Sequence, residues 1–111
     1  MKMHHREVLQ TAMRMLNMRG LEYGDPDKCF GDAAAIATVM LRRTVSKYEI
    51  AKILEAVKIA REAESPHKED SYVDRINYVA FACQFRPGPK PEDIEAQMEA
   101  ALKSYREETT R

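Results

Sequence analysis

Four interruptions cut this chain into five stretches, and each stretch repeats its apolar residues every three or four positions. That period belongs to helices, and no segment alternates apolar and polar residues over a useful strand length. The first stretch, from about His5 to Arg19, carries Val8, Leu9, Ala12, Met15, Leu16 and Arg19 on one side, with Gly20 as its expected stop. After the linker LEYGD, Asp25 is placed to cap a second helix and Pro26 to open it. That helix is predicted to reach about Arg43, with Phe30, Ala33, Ala37, Met40 and Leu41 on its apolar side. Ser46 and Glu49 form a capping box for a third helix ending near Glu64. Ser65-Pro66-His67 breaks it, because a residue before proline avoids the helical region. A fourth helix runs from about Glu69 to Phe85, and a fifth from Pro91 to about Glu107 or Glu108, beyond the Pro-rich linker at 86–91. Glu92 and Asp93 suit the positive end of that last helix, whose stripe is Ile94, Met98, Ala101, Leu102 and Tyr105. The expected fold is therefore all-α: a single domain over 1–111, with a compact bundle of four helices (5–86) plus a C-terminal fifth helix.

A chain of 111 residues has room for one core, and 44% hydrophobic residues fit a folded protein. Seven methionines and no tryptophan suit helix-on-helix packing. Lys plus Arg number 18, as do Asp plus Glu, so no general attraction to nucleic acid or an anionic membrane is expected. No stretch approaches the ~20 apolar residues of a membrane span. The two cysteines, Cys29 and Cys83, form no zinc-ligand pattern and are expected as buried free thiols, in keeping with a reducing cytoplasm. The narrow stripe of the fifth helix is expected to pack on its own bundle or on a neighbouring subunit, with a homo-oligomer favoured.

Helical arithmetic singles out one region. On the third helix Ile50, Ile53, Leu54 and Val57 mark the side to be buried. Arg61 projects into it, Lys58 lies at its edge, and Glu55 and Glu62 point toward solvent. On the fourth, Val73, Ile76, Ala80 and Cys83 mark the buried side, with Asp70, Asn77 and Phe81 beside it and Asp74 one step further. The short connection makes the two helices antiparallel neighbours, so Lys58 and Arg61 approach Asp70, Asp74 and His67. Unpaired buried charge would cost several kcal/mol. The charges therefore either lock the hairpin, as Arg61–Asp74 and Lys58–Asp70 salt bridges, or line a polar cleft. The linker Glu22-Tyr23-Gly24-Asp25-Pro26 offers an aromatic face and two acids, or simply a turn and a cap.

These residues resemble a family of small, uncharacterised phage and prophage proteins. Its pattern is Tyr-Gly-Asp-Pro, then a Lys-x-x-Arg helix, then His-x-x-Asp-Ser-x-x-Asp followed by Tyr. Here the matching positions are Tyr23, Gly24, Asp25 and Pro26; Lys58 and Arg61; and His67, Asp70, Ser71, Asp74 and Tyr78, over roughly residues 6–85. The layout is similar to phage nucleotide-modification-associated domains, which pair an early Tyr-Gly with a later Asp and Asn-Tyr, here Asn77-Tyr78. More distantly it resembles all-α nucleoside triphosphate pyrophosphohydrolases of the MazG type. That resemblance implies an oligomeric helical bundle whose helix-borne carboxylates bind Mg²⁺ and which cleaves a nucleotide between its α and β phosphates. The MazG type carries Glu-x-x-Glu facing Glu-x-x-Asp; the third helix here lacks Glu-x-x-Glu, and the fourth offers Asp70 and Asp74.

Three functions stay open. In an enzyme, Asp70 and Asp74 would be catalytic and hold Mg²⁺, Lys58 and Arg61 would hold phosphates, and Tyr23 would stack on a base. A nucleotide-binding module would use the same basic residues and Tyr23, without a metal. An interaction protein would carry its function on the last helix. The favoured expectation is a nucleotide-handling protein, in the host cytoplasm if phage-encoded, with Tyr23, Gly24, Asp25, Lys58, Arg61, His67, Ser71, Asn77 and Tyr78 as substrate-binding candidates.

Overall fold

The computed structural model describes residues 2–109. Among these residues five α-helices follow one another: α1 (His5–Tyr23), α2 (Pro26–Leu41), α3 (Lys47–Glu64), α4 (Glu69–Phe85) and α5 (Pro91–Thr109). The fold is all-α, a bundle of four helices with a fifth at the C-terminal side.

The caps act as their residue types dictate. Asp25 accepts from the Asp27 amide at 3.0 Å and Pro26 opens α2. Ser46 Oγ accepts from the Glu49 amide at 3.1 Å, and Glu49 Oε1 accepts from the Ser46 amide at 3.2 Å, completing the capping box. Two ends differ from expectation. α1 runs through Gly20 to Tyr23, because an interior glycine weakens a helix by about 1 kcal/mol without ending it. The stop is Gly24, whose φ of 82° is open to glycine, immediately before the Asp25-Pro26 pair that must be extended. α2 ends at Leu41 rather than Arg43, with Arg42 in the left-handed conformation.

α3 and α4 form the hairpin at the centre; α1 packs along α4 and α2 along α3. Phe30 of α2, Ala51 of α3 and Ala82 of α4 form one buried cluster at the centre. Tyr48, Ile50, Leu54, Tyr78, Phe81 and Phe85 surround this cluster, with Phe30 4.9 Å from Phe81 and 5.3 Å from Phe85 between ring centroids.

The face of α3 turned to α4 is not the expected one. Ile53 and Val57 are exposed, and Ile50 and Leu54 only half-buried. Ala51, Glu55, Lys58 and Glu62 lie on one helical line toward α4 instead, where Asp74 pairs with Lys58, and Arg75 with Lys52 balances the two glutamates. α4 lies between α3 and α1, so its buried arc takes in Ser71, Val73, Asn77 and Ala82, while Ala80 and Cys83 are exposed. Both cysteines are exposed, not buried. Met40 and Leu41, expected on the apolar side of α2, are also exposed, and α5 buries no residue.

Candidate functional site

Two ion networks occupy the seams of the bundle. In the first, Arg75 Nη1 donates to both Glu62 oxygens at 2.8 and 3.1 Å, and Arg75 Nε lies 3.7 Å from Glu55. Lys52 closes the far side of Glu55 at 3.0 Å. Two cations meet two carboxylates, so this network is neutral and cross-links the hairpin.

In the second, Asp74 is held from both sides. Lys58 Nζ on α3 lies 2.8 Å from Oδ2, and Arg19 Nη2 on α1 lies 3.2 Å from Oδ1. The Lys58 and Asp74 side chains are each 13% exposed, whereas Arg19 is 43% exposed. Two cations on one carboxylate leave this triad with one net positive charge, and the solvent-accessible share of it is on Arg19. Neither Arg61–Asp74 nor Lys58–Asp70 forms: Arg61 and Asp70 are exposed, and Lys58 reaches Asp74. The reason is the rotation of α3, which turns Lys58 inward and Arg61 out.

Beside the triad opens a cleft of about 410 Å³, bounded by α1, α2 and the α3–α4 hairpin. Tyr23, Phe30, Tyr78 and Phe81 give it aromatic walls, Leu16 and Leu54 add aliphatic ones, and Arg19 is its cation. Gly20, Gly24 and Pro26 form the rim where α1 turns into α2. Asn77 also lines it, but its amide donates to the Ala12 carbonyl at 3.0 Å, so the buried Asn77 pins α1 to α4.

Of the residues singled out from sequence, the cleft gathers Tyr23, Gly24, Asn77 and Tyr78, with Lys58 and Asp74 reaching it through Arg19. Asp25 caps α2, and Ser71 is buried within the bundle. His67 is exposed and lines a different depression with Lys2, Met3, Val8, Pro66, Glu69 and Tyr72. Sequence reasoning missed Arg19, Phe30 and Phe81 as site residues. Leu16, Arg19 and Tyr23 do share one face of α1 by their spacing, and extending α1 past Gly20 would have revealed it.

The carboxylates do not fit the Mg²⁺ pair expected of them. Each Asp74 oxygen is taken by a cation, and among the described residues no three His, Cys, Asp or Glu side chains gather closely enough to share a metal ion. Among the described residues, no helix is long and apolar enough to cross a membrane.

Comparison with known proteins agrees with the phage resemblance. The model of a family described only as a domain of unknown function, DUF6378, matches residues 7–86, which hold α1 to α4 almost entirely. The "Gene 55 protein" of Mycobacterium phage D29 is 29% identical over 72 residues, a stretch covering 64% of this chain and 48% of that protein. The chain thus matches about half the length of that relative. No solved structure matches.

Proposed function

The chain belongs to the DUF6378 family, and from that premise we propose that this phage-associated protein binds a nucleotide in the cleft between α1, α2 and the α3–α4 hairpin. The observation that carries the reading is the composition of the cleft: four aromatic rings around an apolar interior, with the Arg19 guanidinium beside them. A flat base gains burial and stacking between such rings, and a guanidinium at the rim suits a phosphate through paired N–H donors. The net positive charge of the Arg19–Lys58–Asp74 triad favours an anion there. Tyr23, 78% exposed at the mouth, is placed to fold over the base.

Binding without chemistry is favoured over hydrolysis by the polar residues between α3 and α4. The MazG pattern needs Glu-x-x-Glu facing Glu-x-x-Asp. The inward-facing residues here read Glu55-x-x-Lys58 and Asp74-x-x-Asn77, so an ammonium and an amide stand at two of four positions.

The test is thermal unfolding against a panel of ribo- and deoxynucleoside mono- and triphosphates. A ligand at a hundredfold its Kd adds about 2.7 kcal/mol of stability, which in a chain of this size raises Tm by roughly 10 °C or more. Arg19→Gln and Tyr23→Ala should each abolish that rise while leaving the Tm of the unliganded protein within a few degrees. A panel that moves Tm nowhere sinks the reading. Release of monophosphate and pyrophosphate in Mg²⁺, lost in Asp74→Asn, would replace it with the hydrolase.

A further inference from the structure

Two helices of this chain present apolar surface that nothing among the described residues covers. The first is the second half of α2. Residues 33–41, AAAIATVML, contain no charged side chain, and a helix apolar all round belongs in an interior. Only part of it is covered. Thr38 Oγ1 accepts from the Val45 amide at 2.9 Å, so the connection to α3 folds back along one side. Ile36, Val39 and Met40 face solvent on another, with Val39 78% and Met40 75% exposed. The second is α5, whose Ile94, Met98, Leu102 and Tyr105 recur at helical spacing and are all exposed. Its remaining positions are largely charged, so α5 is amphipathic, the composition of a helix that covers something.

Global dimensions say the same. A compact chain of this length has a radius of gyration of about 13 Å; this one has 19.7 Å. A folded monomer of 12.8 kDa exposes about 6,300 Å². This chain exposes 9090 Å², an excess of about 2,800 Å². That excess is as large as the total area two chains remove from water in a permanent homodimer. Most helical stability in a protein comes from packing an amphipathic face, so α5, which buries no residue, lacks its main support in the protomer.

We propose that the occupant of both surfaces is a second copy of this chain, with α5 of each protomer lying over residues 33–41 of the other. The pairing is complementary in kind: α5 has one apolar face and one charged face, whereas the far half of α2 lacks any charge to desolvate. Pairing α5 with α5 would leave α2 exposed, and pairing α2 with α2 would leave α5 exposed. Exchange covers both and closes as a two-fold dimer. The linker Arg86-Pro-Gly-Pro-Lys90, leading into Pro91, is stiffened by its prolines and holds α5 away from its own bundle.

Sedimentation of the full chain tests this directly. The wild type should sediment at twice 12.8 kDa at micromolar concentration. Met98→Asp with Leu102→Asp should sediment as monomer, as should Val39→Asp with Met40→Asp, each keeping the helicity of α1 to α4 because these positions are exposed in the protomer. If an Asp pair fails to fold, the same positions changed to Gln serve in its place. Mixing the two variants should restore a dimer, since the intact α5 of one meets the intact α2 of the other. The mixture is read at the highest concentration at which each variant alone is monomeric. A monomeric wild type, in which α5 folds onto its own chain or onto nothing, overturns the proposal. So does a dimer that survives the α2 pair (α5 on α5), one that survives the α5 pair (α2 on α2), or a mixture that stays monomeric.

Discussion

Lys58→Met removes one of the two cations that hold Asp74. The Lys58–Asp74 contact is 2.8 Å, and both side chains are 13% exposed. At that distance the Coulomb attraction is about 6 kcal/mol with an effective dielectric constant of 20, and about 1.5 kcal/mol in bulk water. Breaking a buried pair by removing one partner generally costs about 3–5 kcal/mol, because the remaining charge is stranded. Asp74 is not stranded, since Arg19 stays at 3.2 Å, so the expected loss is nearer 2 kcal/mol. Asp74→Leu leaves the Lys58 ammonium without its carboxylate and should lose about 3 kcal/mol. The double variant carries no charge at either position and should lose only about 1–2 kcal/mol, for a coupling of about 3 kcal/mol. Urea unfolding at one fixed protein concentration reads these as midpoint shifts at constant slope, on the order of 1–2 M for the Lys58 variant. Single losses that simply add, with coupling below about 0.5 kcal/mol, would refute the reasoning: Lys58 and Asp74 would then not be a lock between α3 and α4.

Ser46→Ala removes the cap of α3 and should lower stability by about 1 kcal/mol, read as a fall of several degrees in Tm. The other half of the box is pH-dependent. The Ser46 backbone amide, then Arg43, hold the Glu49 carboxyl below its ordinary 4.5, so its contribution is complete at neutral pH and disappears as pH falls through the lowered value. The difference in Tm between wild type and Glu49→Gln should therefore shrink in strong acid; a difference that grows there contradicts the assignment. Asn77→Ala removes the side-chain donor that ties α4 to the Ala12 carbonyl, which keeps its bond from the helix ladder, and should cost about 1 kcal/mol, with amide exchange accelerating in α1 before α3. Ala51→Leu forces a larger side chain into a position with no exposed surface and should cost about 1–3 kcal/mol by urea titration; a neutral result would mean that the Phe30–Ala51–Ala82 contact is looser than drawn.

Much of this architecture is written in local chemistry. Asp25-Pro26, the Ser46–Glu49 box, Ser65-Pro66 and the prolines of 86–91 act within a turn or two of chain, so the number, order and starts of the helices can be read from them without a partner surface. Even Gly24 is legible once Pro26 is considered, because the two together leave no helical continuation. Which side of each helix turns inward was a different matter. Apolar periodicity names the face a helix would bury, but not what is available to bury it against. In α3 the stripe through Ile53 and Val57 lost to the line through Ala51, because a small residue admits α4 closely and Asp74 and Arg75 compensate the charges that come with it. That rotation exchanged Arg61 for Lys58 and brought in Arg19 from 55 residues away, a partner that no local pattern could specify. The tertiary arrangement likewise left the stripes of α5 and the far half of α2 facing water, because apolar spacing marks a face to be covered without placing another helix over it.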